Sequence, residues 1–256
     1  MIAQIRADLY RQRHTLGTFI TALLIVIYAI LIVGFKTVGG VMVSATEKPL
    51  EALDNKSWSI LDSIHAATLS STVLLYLFIG LFTIVIGYEF NHHLYKNTLV
   101  SGLSRLQFIL AKYFTLVVNF IIFMGLYYLT AFLSALIVQR PMGTSVGELL
   151  LALGTTLWTT TFFVSVIFSL AILVLIATSS LVISAVFVVL WPILIGTITL
   201  ITNWHWLEYA DFFGVANRIA FGLIRSDQLF GYIMVSFCVL VMSIFISTML
   251  IRRKEL

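Results

Sequence analysis

The 256-residue chain is 61% hydrophobic and only 10% charged, with a formal net charge of +4 and a mean hydropathy of +1.08. Soluble domains are about 45–50% apolar and about 25% charged. A water-soluble fold could not cover this much apolar surface, so the surplus must face lipid, and the composition predicts a membrane protein. The single cysteine, Cys238, cannot form an internal disulfide and fits a small apolar position in a helix.

The first 14 residues predict an amphipathic helix that lies along the membrane interface. Three apolar residues share one stripe of such a helix and three arginines lie elsewhere around it: Ile2, Ile5, Leu9, Arg6, Arg11 and Arg13. A basic amphipathic helix suits an anionic membrane surface. The alternative is an ordinary positively charged flank of the first span.

Six apolar runs are long enough to cross a bilayer as helices, which takes about 20 residues each. Their approximate bounds are 16–35, 66–88, 108–138, 149–177, 181–201 and 229–251. The fourth and fifth runs belong to one uncharged stretch, 149–207, so a turn is expected at residues 178–180. The runs are continuous rather than alternating, which favours helices over barrel strands. The sequence therefore predicts an all-α polytopic membrane protein with one transmembrane domain, residues 1–256.

The distribution of basic residues predicts the orientation. Six spans put both termini on one side, and if that side is cytoplasmic, nine Lys and Arg residues lie inside and six outside. Basic residues are enriched in cytoplasmic loops. We therefore expect a multi-pass protein of the bacterial cytoplasmic membrane with both termini in the cytoplasm. No small-residue cleavage pattern closely follows the first run, so no cleaved signal peptide is expected.

The segment 203–228, between the last two spans, is too polar to cross the membrane and too apolar for a free loop. Interface-loving aromatic residues such as Trp204 and Trp206 occur in it together with charged residues. Short interfacial or re-entrant helices on the outer face fit this mixture. Four residues are candidates for an outer gate: Asp211, Phe212, Phe213 and Arg218. Asp211 and Arg218 stand seven residues apart, two helical turns, which predicts an ion pair on one helix face.

The cytoplasmic segment 89–112 predicts a short helix, a sharp turn and a new helix that enters the membrane. Gly102 can adopt the left-handed conformation that ends a helix. Ser104 and Gln107 match a capping box, in which each side chain bonds the backbone of the other. The segment has the shape of a docking element, although any loop between two spans needs a turn and caps.

The same segment resembles the cytoplasmic loop after the second span in ABC-2 type permeases. The matching pattern is an acidic residue, a Thr-Leu pair, a Ser-Gly turn, an arginine and a lysine that enters the third span: Glu89, Thr98, Leu99, Ser101, Gly102, Arg105 and Lys112. Chain length, six spans and the N-terminal helix extend the likeness over the whole chain. It is most similar to the small permeases that export, or confer immunity to, antimicrobial peptides such as lantibiotics. His92-His93 stand where family members commonly have a Gly-Thr or basic pair.

The resemblance implies a half-transporter. Two permease chains, as a homodimer or with a sister permease, would form the pathway through the lipid bilayer. A separate cytoplasmic ABC ATPase would bind ATP and Mg, and the segment 89–105 would be the coupling helix that contacts it. The residues implied in that contact are Glu89, Phe90, Asn97, Thr98, Ser101, Gly102 and Arg105. Glu89 and Arg105 would make charged contacts, and Gly102 would permit the turn.

Two common motifs of catalytic and nucleotide-binding sites do not occur in this chain. They are the phosphate-binding pattern G-x-x-x-x-G-K-[ST] and the zinc pattern H-E-x-x-H. His92 and His93 would point about 100° apart on a helix, so a surface pair is favoured over a metal site. We therefore predict no catalytic, cofactor or metal site in the chain, which is not itself an enzyme, and no nucleic-acid partner.

The expected function is that of the permease subunit of an ABC exporter for an amphipathic or hydrophobic substrate, such as a peptide, lipid or drug. Apart from Lys112 near the start of the third run, the predicted runs contain no charged residue, which argues against an ion-coupled carrier. A hydroxyl-rich strip in the fourth run, around Thr155 and Thr159, would either line a pathway or pack helices closely. The alternative functions are a non-transporting membrane immunity or sensor protein, an integral-membrane enzyme, or an ion-coupled carrier.

Overall fold

The described residues of the computed structural model, 1–39, 53, 57–91, 94–100, 102–202, 204–224 and 226–254, form helices and turns without a β-strand. Six helices are long and apolar enough to cross a membrane. They are called the first to sixth spans and are Leu16–Phe35, Thr72–Phe90, Arg105–Ile137, Val146–Thr178, Leu181–Thr202 and Gln228–Arg252. The protein is a multi-pass, all-helical membrane protein, as its composition predicts.

Outside the spans, the described residues form four further α-helices and one 3-10 helix. They are the N-terminal helix (Ile2–Arg13), the pre-span helix (Ile60–Leu69), the loop helix (Tyr95–Val100), the 3-10 helix His205–Ala210 and the cap helix (Phe212–Ala220). The second span is built from Thr72–Phe82, a π-helical turn at Thr83–Gly87 and Tyr88–Asn91. The helix of the sixth span runs from Ser226 to Lys254.

The bundle has two distinct ends. The N-terminal helix contacts the end of the second span and the start of the third, so the loop between them lies at the same end, called the terminal end. Leu181, which begins the fifth span, packs against Gly87 at that end too. At the opposite end, Arg140 donates a hydrogen bond to the Val33 carbonyl near the end of the first span. The cap helix also lies there, with Arg218 over the Tyr232 ring near the start of the sixth span.

The fourth span is the most enclosed of the six. Of its most apolar 18-residue window, 72% is buried, against 17% in the fifth span and 22% in the sixth. Aromatic side chains fill the space between the second, third and fourth spans, with Phe120 at 4.9 Å from both Phe78 and Phe168 between ring centroids. The fifth and sixth spans therefore leave most of their residues exposed on the outside of the bundle.

The second span departs furthest from the sequence-based expectation, while the other five begin and end within three residues of the predicted bounds. It begins at Thr72 rather than near residue 66, because the helix breaks at Ser70 and Ser71. Residues 60–69 form the separate pre-span helix, which takes the first four residues of the predicted run 66–88. Ser59 and Asp62 cap its start by bonding each other's backbone N–H groups. The turn expected at residues 178–180 is present, with Ser179 in the left-handed conformation.

Candidate functional site

Four charged side chains from three distant parts of the chain meet at the terminal end. They are Asp8 and Arg11 of the N-terminal helix, Glu89 near the end of the second span and Lys112 in the third span, and we call them the charge cluster. The Lys112 side chain is completely buried, and Asp8 and Glu89 are 2% and 7% exposed. The two acids balance the two bases, so the cluster is neutral when all four are ionised.

Lys112 stands at the centre of the charge cluster. Its ammonium Nζ lies 2.8 Å from both carboxylate oxygens of Asp8 and 2.7 Å from Oε1 of Glu89. An ammonium has three N–H donors, and these contacts use all of them. A buried charge is tolerated when it is paired and hydrogen-bonded, so the surroundings of Lys112 explain how a lysine can lie inside the helix of a span.

Arg11 joins the charge cluster to the backbone of the second span. Its Nη1 donates to Oε1 of Glu89 at 3.0 Å, and its Nη2 donates to Oδ1 of Asp8 at 3.3 Å. Nη2 also donates to the carbonyls of Ile84 and Val85 at 3.0 and 3.1 Å. Both carbonyls belong to the π-helical turn, where the usual ladder of α-helical hydrogen bonds is interrupted. Arg11 therefore binds the one place where the second span departs from α-helical geometry.

A polar contact above the charge cluster extends the junction along the third span. The Asn119 side-chain nitrogen donates to Gln12 Oε1 at 2.8 Å and to the Thr115 carbonyl at 2.6 Å. The inward face of the N-terminal helix is thus its polar face, with Asp8 and Gln12 both buried. Ile2, part of the predicted apolar stripe, is 79% exposed. The sequence predicts the helix but not that its polar residues would bind the bundle.

Two opposing effects act on the Asp8 carboxyl of the charge cluster. Burial raises the pKa of the Asp8 carboxyl above its ordinary value, while the positive charge of Lys112 and its hydrogen bond act in the opposite direction. Among the described residues, Oε2 of Glu89, Nε of Arg11 and Nε2 of Gln12 are buried without a hydrogen-bond partner. All four charges are therefore ion-paired, but the cluster does not satisfy every buried polar atom.

The predicted coupling residues divide between the charge cluster and the exposed loop. Glu89 belongs to the cluster, and the Phe90 ring stacks on Tyr95 at 4.7 Å between centroids. Asn97 and Thr98 lie in the loop helix, where Thr98 is partly buried, and Ser101 is outside the described residues. The structure therefore separates Glu89 and Phe90, which pack against the bundle, from Gly102 and Arg105, which are exposed.

The turn after the loop helix has the geometry that its sequence predicts. Gly102 has φ +97°, a conformation that residues with a side chain rarely adopt, and it is exposed. Ser104 Oγ accepts from the Gln107 backbone N–H, and Gln107 Oε1 accepts from the Ser104 N–H, both at 3.3 Å. The capping box is confirmed. Arg105, the first residue of the third span, is exposed beside this turn.

Two of the predicted gate residues form a buried anchor. Phe212 and Phe213 are 2% and 4% exposed. The Phe212 ring is stacked parallel to Trp191 of the fifth span at 6.2 Å between centroids, and the Trp191 indole N–H donates to the Ala210 carbonyl at 3.2 Å. The cap helix is therefore held against the bundle by buried apolar side chains, among them these two phenylalanines.

The predicted ion pair between Asp211 and Arg218, both of which the structure describes, is wrong. Arg218 Nη1 lies 2.8 Å from Oε2 of Glu208, and its guanidinium lies over the Tyr232 ring of the sixth span. Asp211 instead caps the cap helix by accepting from the Gly214 N–H at 3.0 Å, and burial raises its pKa. The spacing rule fails because Asp211 precedes the helix, where helical periodicity does not hold.

Sequence reasoning missed the roles of Asp8, Arg11 and Gln12 at the terminal end. The available signals were an acid on an otherwise basic N-terminal helix and a lysine next to an uncharged run. No family model, no curated protein and no solved structure matches the chain. Its function is therefore inferred from its own residues and their geometry.

Proposed function

We propose that this chain is the membrane-spanning permease subunit of an ABC exporter in the bacterial cytoplasmic membrane. A separate cytoplasmic ATPase binds ATP and Mg beneath it. A second permease chain, identical or a sister, completes the pathway. The substrate is amphipathic or hydrophobic, such as a peptide, a lipid or a drug. Both termini, and therefore the terminal end, face the cytoplasm.

The charge cluster is the observation that carries this proposal. The loop that would contact the ATPase begins at Glu89, whose carboxylate bonds both Lys112 of the third span and Arg11 of the N-terminal helix. Removing one member of a buried ion pair leaves an uncompensated charge, which costs about 3–5 kcal/mol. A displacement of the loop therefore moves the second span, the third span and the N-terminal helix together rather than bending the loop alone.

The exposed turn at Gly102 and Arg105 supplies the surface for the ATPase. It leads directly into the third span, a single helix of 33 residues, which is about 50 Å long at 1.5 Å per residue. A continuous helix transmits a push at one end to the other. The cap helix lies at that other end, so movement at the loop can open the cap and release the substrate.

Site-specific photo-crosslinking tests this proposal. A photoreactive amino acid replaces Val100, which is 87% exposed in the loop helix, and the full chain is purified from its native membrane after irradiation. We expect a cross-link to a protein that carries the phosphate-binding pattern of an ATPase. The matched control is the same substitution at Met142, which is 49% exposed at the opposite end and should not give that product.

Gly102→Val sharpens the test, because a β-branched residue strongly disfavours positive φ. The substitution should lower the ATPase cross-link while the chain still inserts into the membrane. Gly147→Val, in a helix where an added Cβ meets nothing within 4 Å, is the control. Capture of no nucleotide-binding protein, or equal yields from positions 100 and 142, would contradict the proposal, and a non-transporting immunity or sensor protein would give that result.

A further inference from the structure

A groove of about 580 Å³ opens on the side of the bundle between the fourth and sixth spans, directly beneath the cap helix. Its volume lies within the range of about 300–1,000 Å³ that is typical of small-molecule sites. Its lining includes Leu151, Gly154, Trp158, Ile219, Leu229 and Ile233. Two spans and the cap helix therefore enclose a single recess.

The length of the groove along the fourth span is close to the thickness of one membrane leaflet. On the fourth span its lining extends from Leu150 to Phe163, which is about 20 Å at 1.5 Å per residue. Half of a hydrocarbon core is about 15 Å thick. Because the span begins at Val146, the groove lies in the half of the bundle at the opposite end and faces hydrocarbon along its length.

The lining of the groove is almost wholly apolar. Of the described side chains that line it, Thr155 and Thr159 carry hydroxyl groups and Trp158 carries an indole N–H. Each hydroxyl donates to a backbone carbonyl one turn earlier, that of Leu151 at 2.8 Å and that of Thr155 at 2.7 Å. With both hydroxyl donors used, a polar molecule would lose more hydrogen bonds to water than it gains here. An aliphatic molecule has no hydrogen bonds to lose.

The shape of the groove favours a thin, flexible occupant. A side chain at Gly154 would meet nothing within 4 Å, so this glycine leaves the floor of the groove open. Leu151 and Trp158, which are 69% and 62% exposed, stand about one turn before and one turn after it on the same face of the fourth span. A straight helix of a second protein would rest on these two side chains and leave a void over Gly154, where contacts would be lost. A single hydrocarbon chain reaches the floor.

We infer that the groove binds one acyl chain of a membrane lipid, held in place rather than exchanging freely with the surrounding bilayer. The acyl chain contacts Ile219 of the cap helix at one end of the groove and Phe163 of the fourth span at the other end. The bound lipid thereby becomes part of the support of the cap helix. This inference rests on the membrane fold alone and is independent of the proposed transport function.

Photolabelling from the lipid tests the inference. The full chain is reconstituted in vesicles of phosphatidylethanolamine and phosphatidylglycerol that contain a phospholipid with a diazirine midway along one acyl chain. After irradiation, labelled residues are mapped by mass spectrometry. We expect labels to be enriched at residues 150–163 and 229–233, relative to Phe19 and Leu23, exposed first-span residues that ordinary surrounding lipid touches.

Filling the groove should abolish the enrichment. Gly154→Leu places a side chain into open space, and Ile233→Trp fills the recess from the other wall, so the test survives if one variant folds poorly. Gly147→Leu is the matched control, because it lies in the same span, also meets nothing within 4 Å and is outside the groove. It should retain the enrichment.

Three results would overturn the inference. Labels spread evenly over all lipid-facing residues would show that the groove holds only ordinary lipid that exchanges with the bilayer. Enrichment that persists in both filled variants would place the bound chain elsewhere. A disulfide between two copies through Leu151→Cys, in a chain carrying Cys238→Ala, would show that a second copy covers the groove.

Discussion

Lys112 shows how a residue that is unfavourable in lipid becomes the centre of a stable junction. A lysine at the middle of a spanning helix costs about 2.5–3.5 kcal/mol on insertion scales. Lys112 avoids that medium because Asp8 and Glu89 surround it with three charge-assisted contacts of 2.7–2.8 Å. The sequence marks Lys112 as the lysine entering the third span, but it does not reveal its partners. Asp8 is 104 residues away, and no local pattern connects the two.

Removing the Lys112 charge should be strongly destabilising. Lys112→Met keeps a similar length but leaves the two buried carboxylates with Arg11 as their one counter-charge in the cluster, for which we expect a loss of about 3–5 kcal/mol. Thermal unfolding of the purified chain in detergent measures the loss. Arg13→Met, an exposed position on the N-terminal helix, is the control and should change stability by less than about 0.5 kcal/mol. Equal melting temperatures for the two variants would show that the cluster adds nothing to stability.

Among the helices, the second span shows why hydropathy failed to predict where one span begins, although it predicted the bounds of the other five. Hydropathy detects length and apolar content, but a helix break at Ser70 leaves both almost unchanged. The break is stabilised from outside, because Tyr28 donates to the Ser70 carbonyl at 3.0 Å and Tyr127 to the Ala67 carbonyl at 2.8 Å. These tyrosines come from the first and third spans. The break is therefore a tertiary feature that the local sequence cannot specify.

The cap helix should depend on aromatic packing much more than on its ion pair. Phe212→Ala removes a ring that is 2% exposed and stacked on Trp191, and such truncations cost about 3–5 kcal/mol. Arg218→Ala breaks a pair whose partners are 25% and 28% exposed, which is worth under about 1 kcal/mol after solvent screening. Protease resistance of the segment 204–224 measures both effects. A larger loss from Arg218→Ala would refute this ranking.

The contact between the pre-span helix and the cap should weaken on acidification. The His65 ring lies 4.6 Å from the Phe221 ring, and burial lowers the pKa of His65, opposed by the nearby charge of Asp62. The unfolded chain therefore binds a proton at higher pH than the folded chain does. Stability from this group is complete above the ordinary histidine pKa of about 6.5 and falls as the pH drops through that value.

Melting temperatures measured at about pH 7.5 and about pH 5.5, on either side of the ordinary histidine pKa, test this expectation. The melting temperature should fall at the lower pH, and His65→Gln should reduce the fall. His14→Gln, at the exposed end of the N-terminal helix, is the control and should leave the fall unchanged. If His65→Gln behaves as His14→Gln does, another group causes the pH dependence.

At the scale of the whole molecule, different interactions stabilise the two ends of the bundle. The terminal end carries the charge cluster, which holds three elements together through buried ion pairs. The opposite end carries the cap helix, which is held by stacked aromatic rings and a partly exposed ion pair. Buried pairs break at a high cost and solvent-exposed ones at a low cost. The two ends should therefore differ in how readily they open.

The orientation of the two ends in the membrane follows from the nine-to-six excess of Lys and Arg on the side of the termini, which predicts a cytoplasmic terminal end. Two exposed positions report on it in a Cys238→Ala chain: Ala3→Cys on the N-terminal helix and Met142→Cys after the third span. A membrane-impermeant maleimide should label Met142→Cys in intact cells and label Ala3→Cys only after the membrane is opened. Because six spans hold both termini on one side, labelling of Ala3→Cys in intact cells would invert the whole molecule. It would also move the charge cluster away from any cytoplasmic ATPase, so this result would refute the proposed coupling together with the orientation.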